Sequence, residues 1–438
     1  MKYESFFIEN YRGIKNRLDF NLDMKIKAPH CIIGNNESGK TTILKGIELI
    51  SKLCEGETIE NGVRKAIKPK GDYFSGVVKL GAILSFLQSA VKDNEKLSKY
   101  LKSTGEISIS LEFSYQFERA SFVEGSNEVN INFDGSLITE EEDKSEIFAL
   151  ISKYAPDVIY YDDFKFVVPK AIRFLEAGKP TNDKTYLERD ENKHWQKIFT
   201  DILKGHDPDN ADTFQKDVVD WYKDPNNEAN IADSRLRNMG KYLDKILKEW
   251  IDNNKNNIEG FEISKKQPEK EADKIFNDYQ ISIISGNNSY QMNERSKGLQ
   301  WSFCFHILTR IRKNRHRAGF IFLLDEPANN LHIRPQNEML NHLNELCDGN
   351  SSVIYSTHSP ELIGTSNQCY KHTFIAKNNA DELQDTDIHL YELTEANKDV
   401  DVQDIEPILA KLAYEDIKLL SDPKKKNEKE KLKSIIDS

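Results

Sequence analysis

Residues 34–42 read GNNESGKTT. The spacing is Gly, four residues, then Gly-Lys-Thr. HCII (30–33) precedes it as a short apolar strand, and TTILKGIELISKL follows as an amphipathic helix. A glycine-bearing loop between strand and helix presents backbone N–H groups to an anion, and the helix N-terminus adds partial positive charge. Gly34, Asn35, Asn36, Glu37, Ser38, Gly39, Lys40, Thr41 and Thr42 therefore form a candidate phosphate cradle. Within it, Gly39 allows close approach, Lys40 reaches β- and γ-phosphates, and Thr41 offers a hydroxyl to Mg²⁺. The competing reading is a chance match in a glycine-containing loop. The strand–loop–helix context argues against it.

A second segment, FIFLLDEP (320–327), completes the pattern. Five apolar residues form a buried strand, and Asp325 emerges at its C-terminal end, the edge where parallel sheets bind ligands. Asp325 is the candidate Mg²⁺ carboxylate, with Thr41. Glu326, one residue on, is the candidate general base toward a water attacking a γ-phosphate. The strand in SSVIYSTHSPELI (351–363) ends at His358, which suits a γ-phosphate contact. A lone histidine is more often structural. The company of the other two segments reverses that reading.

The stretch NERSKGLQW (293–301) stands just before an apolar helical run, where a chain normally places a helix cap. Together, a P-loop, an Asp-Glu strand, a strand-end histidine and this Ser-x-Gly-x-Gln resemble the ATP-binding-cassette (ABC) class of ATPases. The resemblance implies that Ser296, Lys297 and Gly298 contact the nucleotide held by a second subunit. It also implies that ANNLHIRPQ after Pro327 crosses the interface between paired heads. ATP and Mg²⁺ are the implied cofactors, Lys40, Glu326 and His358 the implied catalytic groups, and a second copy of the chain the implied partner.

Several features are similar to the RecF, SMC and OLD-like branch of that class. FFIENYRGIK near the N-terminus carries Asn10, Arg12 and Gly13 in the branch's opening pattern, which adds Arg12 to the nucleotide-binding candidates. LLDEPANNLH, YSTHSPELI and RSKGLQW resemble OLD-type forms. The 80 residues after His358 show none of the Glu plus Asp-x-Asp placement at strand ends expected of an OLD nuclease domain, although isolated acids exist. The layout instead resembles the stand-alone ATPases of two-gene phage-defence systems, of Septu or PARIS type. That resemblance implies a separate effector, a nuclease. A glutamine of the Q-loop is not evident, and Asp162 and Asp163 after VIYY are its nearest positional candidates.

The expected fold class is α/β: a P-loop ABC-type ATPase head with an antiparallel β-lobe and a helical arm between P-loop and Ser-x-Gly-x-Gln. The expected division is 1–169 for the N-terminal half of the head, 170–275 for a helical insertion, 276–400 for the C-terminal half, and 401–438 for a charged helical tail. EISISLEFSYQFE (106–118) and NEVNINFDG (127–135) alternate apolar and polar residues as antiparallel strands. Residues 74–103 read as helical from their apolar spacing. FNDYQISIISGNNSYQM (276–292) reads as a hairpin about Gly-Asn-Asn.

Composition bounds the function. The chain has 438 residues, 38% hydrophobic, and a formal net charge of −11, which argues against a surface that coats nucleic acid. Five scattered cysteines (Cys31, Cys54, Cys304, Cys347, Cys369) make neither a disulfide framework nor a zinc site and fit a reducing cytoplasm. No run of about 18 apolar residues predicts a membrane span. The primary expectation is a switch that pairs heads on ATP and controls an effector in antiviral defence. The alternative is a RecF/SMC-like DNA-repair ATPase whose footprint would be Arg310, Arg312, Lys313, Arg315, His316 and Arg317, although cations also favour a helix C-terminus. A membrane-importer subunit fits poorly, because the P-loop and Ser296 lie too far apart in the chain.

Overall fold

The computed structural model describes residues 1–25, 27–59, 67–68, 74–91, 94–161, 167–175, 190–221, 229–253, 258–266, 276–313, 319–327, 333–363, 372–379 and 386–393. The expected tail at 401–438, Asp162, Asp163 and residues 328–332 of the expected interface loop lie outside them. The chain divides into two compact units, Met1–Tyr161 with Arg317–Ser438, and Asp162–His316.

The first unit starts with β1 (Lys2–Glu9), β2 (Leu18–Asn21) and β3 (His30–Ile33), then α1 (Lys40–Cys54). Next come β4 (Gly76–Leu87), β5 (Glu106–Glu118), β6 (Ser121–Phe122), β7 (Glu128–Phe133), β8 (Ser136–Ile138), α2 (Glu141–Tyr154) and β9 (Asp157–Tyr161). The antiparallel lobe runs β2-β1-β4-β5-β7-β8, with β6 on β5. The strand β4 corrects the helical expectation for 74–103. Its Leu80, Ala82 and Leu84 are fully buried at every second position, and it is paired on both edges, by β1 and by β5. Partners on both edges take up its backbone groups, β5 along the whole strand and β1 over Lys79–Ser85, and this tertiary pairing overrides an apolar spacing that a helix could also have used.

The second unit carries β10 (Ile172–Leu175), α3 (Asp190–His206), α4 (Ala229–Ile246), α5 (Lys248–Asn253), β11 (Gly260–Lys266), β12 (Phe276–Ser285), β13 (Asn288–Gln291) and α6 (Lys297–Lys313). So 170–275 contains helices and also two strands. These pair with β12 in a four-stranded antiparallel sheet, order β10-β12-β11, with β13 on β12. The sheet groups 276–291 with this unit. Arg173 and Asp278 face each other across β10 and β12 in a two-pronged ion pair at 2.8 and 2.7 Å. The core is aromatic: Phe214 packs edge-on against both Tyr279 (4.9 Å) and Phe199 (5.1 Å). The hairpin about Gly286 and Asn287 is present, with Ser285 opposite Asn288.

The first unit resumes with β14 (Phe320–Leu324), α7 (Ile333–Leu346), β15 (Ser352–Thr357), β16 (Thr373–Asn378) and β17 (Ile388–Glu392). Its second sheet has the order β17-β16-β3-β15-β14-β9. Every neighbouring pair is parallel except β16 with β17. Strands β3, β14 and β15 are buried at every position, and β14 accordingly reads as an unbroken apolar run. The parallel direction brings the C-terminal ends of β3, β9, β14 and β15 to one edge.

In the lobe, a Cβ on Gly81 would lie 2.2 Å from the Leu111 carbonyl oxygen and 2.2 Å from the Phe7 ring. Gly81→Ala is therefore expected to destabilise by roughly 1–3 kcal/mol through overpacking, although alanine lowers the entropy of the unfolded chain. Chemical denaturation followed by circular dichroism measures it. An unchanged midpoint would refute the close approach.

Candidate functional site

The loop after β3 is shaped by its glycines. Gly39 has φ +99, a left-handed conformation, and a Cβ there would stand 2.5 Å from Ile388 Cδ1. A Cβ on Gly34 would stand 2.4 Å from the Ala376 carbonyl oxygen. Both positions exclude a side chain. Ser38 N–H donates to the Asn35 carbonyl (3.2 Å), which closes the turn before α1 starts at Lys40.

Lys40 is buried. Its Nζ donates to the carbonyls of Gly34 (2.8 Å) and Asn35 (2.9 Å) and lies 3.3 Å from Glu326 Oε1. The loop, the lysine and the Asp-Glu strand thus converge at one ammonium.

Asp325 leaves the end of β14 and accepts three hydroxyl hydrogen bonds. Thr41 Oγ1 (2.7 Å) and Tyr160 OH (2.9 Å) donate to Oδ2, and Ser356 Oγ (2.6 Å) donates to Oδ1. Glu326 has φ +49, in the left-handed region, and its N–H donates to Ser356 Oγ (2.9 Å). Its carboxylate points between Lys40 and His358, whose Nδ1 lies 2.5 Å from Oε2. Lys40, Thr41, Asp325, Glu326 and His358 are therefore brought together as the sequence suggests.

A cavity of about 620 Å³ lies over this cluster. Asn36, Glu37, Ser38, Gly39, Lys40, Thr41, Thr42 and Glu326 line it, and so does Arg12. Arg12 sits at φ +53, with its N–H donating to the Ile67 carbonyl (3.0 Å). Three lining residues, Asn378, Thr386 and Ile388, were not visible in the sequence. Ile388 N–H donates to the Gly13 carbonyl (2.8 Å), which ties the start of β17 to the Asn10–Arg12–Gly13 turn. The alternating FIAKN and IHLYE would have suggested a strand pair there, but no motif marks them as nucleotide-facing.

Ser296, Lys297 and Gly298 belong to the second unit. Leu299 N–H donates to Ser296 Oγ at 3.3 Å, so Ser296 caps α6. Gln300 Nε2 donates to the carbonyls of Asn293 (3.0 Å) and Arg295 (2.8 Å) and folds the segment back on itself. Ser296 and Lys297 are exposed. Of the basic stretch, Arg310 donates to Glu249 Oε2 (2.6 Å). The side chains of Arg312 and Lys313, and all of Arg315, His316 and Arg317, lie outside the described residues.

Thr41 and Asp325 meet as a hydroxyl and a carboxylate, both hard oxygen donors, beside a loop whose Gly34 and Gly39 leave no room for a Cβ. That donor set fits Mg²⁺, which takes one or two protein oxygens plus phosphate. Among the described residues, no group of three or more His, Cys, Asp and Glu forms a self-sufficient metal site. No helix among them is long and apolar enough to cross a membrane.

A family model described as "AAA ATPase domain" matches residues 1–363. The chain belongs to that family and carries its ATPase domain. It is 31% identical over 149 residues to an uncharacterized protein of Methanocaldococcus jannaschii. That match covers 33% of this chain and 36% of that relative, so the chain spans little more than a third of it. Among solved structures, it is similar to an Smc head bound to the C-terminal winged-helix domain of ScpA (TM-score 0.46, 11% identity, 90% of this chain, 98% of that chain). It is also similar to a Pyrococcus furiosus Smc head with an extended coiled coil bound to the C-terminal domain of ScpA (TM-score 0.45, 11% identity, 90% and 96%). A third likeness is to the recombination mediator RecF with an ATP analogue (TM-score 0.40, 13% identity, 83% and 94%). None of these carries a function to this chain.

The geometry at Gly39 makes a testable distinction. Gly39→Ala is expected to weaken nucleotide binding at least about tenfold, because both the positive φ and the Ile388 contact oppose a Cβ. In the double variant with Ile388→Ala, the contact is relieved but the left-handed backbone still costs roughly 1–2 kcal/mol. Binding should recover only in part. Titration with a fluorescent nucleotide analogue reads both, and full binding by the single variant would contradict the cradle.

Proposed function

We propose that the chain is an ATP-hydrolysing switch of ABC type in the RecF/SMC/OLD-like branch. Lys40 and the Gly34–Gly39 loop hold the β- and γ-phosphates, with Arg12 at the rim of the same cavity. Thr41 and Asp325 would hold Mg²⁺, which would supply charge neutralisation to the phosphate oxygens. Glu326 accepts a proton from the attacking water, and His358 contacts the γ-phosphate and registers its loss. One observation carries this reading: Glu326 stands 3.3 Å from the P-loop lysine and 2.5 Å from His358, both on the cradle side of the strand ends. A carboxylate placed there reaches a water in line with a phosphate that Lys40 grips.

The finer reading is that ATP pairs two heads, with Ser296, Lys297 and Gly298 of one copy sealing the nucleotide of the other. Hydrolysis then releases the pair and alters the hold on a separate effector, a nuclease, in cytoplasmic antiviral defence. Its support is the resemblance of RSKGLQW, LLDEPANNLH and YSTHSPELI to OLD-type forms, and the exposure of Ser296 and Lys297. The DNA-repair alternative draws less support, since Arg310 of its basic footprint is engaged by Glu249 within its own unit.

Glu326→Gln is expected to lower phosphate release by about 10²–10⁴-fold while ATP binding persists. The variant should accumulate as a larger species with ATP in analytical ultracentrifugation. Lys40→Ala should instead lose ATP binding. Wild-type hydrolysis by Glu326→Gln would remove Glu326 from the base role.

A further inference from the structure

We propose that Tyr160 is the positioning residue for the metal-holding carboxylate, acting as a neutral hydrogen-bond donor that fixes Asp325. This inference rests on the reading of the site as an ATP–Mg²⁺ centre.

Strand β9 lies parallel to β14, with Tyr160 beside Leu323 and Tyr161 beside Leu324. The ladder continues one step past β14, where Asp325 N–H donates to the Tyr161 carbonyl (2.9 Å). That step sets the Asp325 backbone against β9. The Tyr160 phenol then reaches forward to Oδ2 at 2.9 Å. Tyr160 is 5% exposed, so its ring is held by the sheet rather than by solvent, and Lys45 Nζ sits 5.7 Å from the ring centroid. A buried phenol on a paired strand has few orientations to lose when it makes this bond.

The three donors to Asp325 divide the work. Thr41 bonds Oδ2, but its hydroxyl is also the proposed metal partner, so its geometry must answer to phosphate and metal together. Ser356 bonds Oδ1, but the same oxygen accepts the Glu326 N–H and so serves the backbone of the candidate base. Tyr160 comes from the opposite neighbouring strand and bonds the Thr41-facing oxygen. It holds that oxygen toward α1 independently of whether Thr41 is engaged by a metal. A carboxylate with a fixed rotamer binds a cation without first losing torsional freedom, which is the usual way outer partners strengthen a metal site. A phenol stays neutral at working pH. It can therefore orient the carboxylate without competing for the cation as a second anion would.

The test uses Tyr160→Phe in the full chain, which keeps the ring and its Lys45 contact and removes the O–H. ADP affinity is measured by calorimetry in excess Mg²⁺ and again in EDTA. Their ratio is the metal-dependent gain. In the variant that gain should fall about tenfold, the loss of one hydrogen bond to a charged acceptor. Affinity in EDTA should stay as in wild type. A gain equal to wild type overturns the proposal. A parallel loss in EDTA also overturns it, because Tyr160 would then only shape the pocket. If wild-type protein shows no metal-dependent gain at all, the ATP–Mg²⁺ reading itself fails, an outcome distinct from failure of the tyrosine's role.

Discussion

The site hangs on the Asp325 carboxylate. Three hydroxyls from three separate elements meet on it: Thr41 of α1, Tyr160 of β9 and Ser356 of β15. Hydrogen bonds to a charged acceptor contribute roughly 1.5–3 kcal/mol each, so this carboxylate fastens the P-loop helix to the sheet edge. The parallel register of β9, β14 and β15 makes the meeting possible, since it delivers all three strand ends to one place. Ser356 then passes the constraint on. Its oxygen accepts the Glu326 N–H and holds that residue in the turn that aims its carboxylate at Lys40 and His358.

Backbone strain is distributed accordingly. Among the described non-glycine residues, Asn10, Arg12, Glu37, Arg119, Ala120, Asp134 and Glu326 have positive φ. Arg119 and Ala120 turn β5 into β6, and Asp134 turns β7 into β8, where tight hairpins require such angles. Arg12, Glu37 and Glu326 all line the cavity over the candidate site. Strain at roughly 1–2 kcal/mol per residue persists only where surrounding contacts enforce it. Here they do: Arg12 N–H is taken by Ile67, and Glu326 N–H by Ser356.

The cradle, the Asp-Glu strand end and His358 were legible in the sequence because each is written locally, as an apolar run followed by a change of residue type. The opposite wall was not. Asn378, Thr386 and Ile388 follow the P-loop by more than 300 residues and reach it only through the pairing of β16 on β3 and the bond from Ile388 to Gly13. No local spacing encodes that approach. GVVKLGAILSFL was misread because its many apolar residues fit a helical spacing as well as a doubly paired strand. The helix α2 was overlooked although its signals were present. Glu141, Glu142 and Asp143 crowd its first turn, and Ile147, Leu150 and Ile151 are buried at helical spacing.

A capping role and a phosphate contact would draw on different parts of the serine in the Ser-x-Gly-x-Gln segment. Capping uses Ser296 as an acceptor: its oxygen takes the Leu299 N–H at 3.3 Å. A phosphate contact would use it as a donor, through the hydroxyl proton, which that cap leaves unspent. The cap also fixes the start of α6 and takes up the Leu299 N–H, one of the first-turn donors that have no intrahelical acceptor. Gln300 reinforces this by tying its amide to the carbonyls of Asn293 and Arg295, which holds the preceding chain against the first helical turn. A segment built this way has its helix start fixed by its own hydrogen bonds. Holding that shape costs the chain little, because the same hydrogen bonds that would present Ser296 to a phosphate already serve to begin the helix.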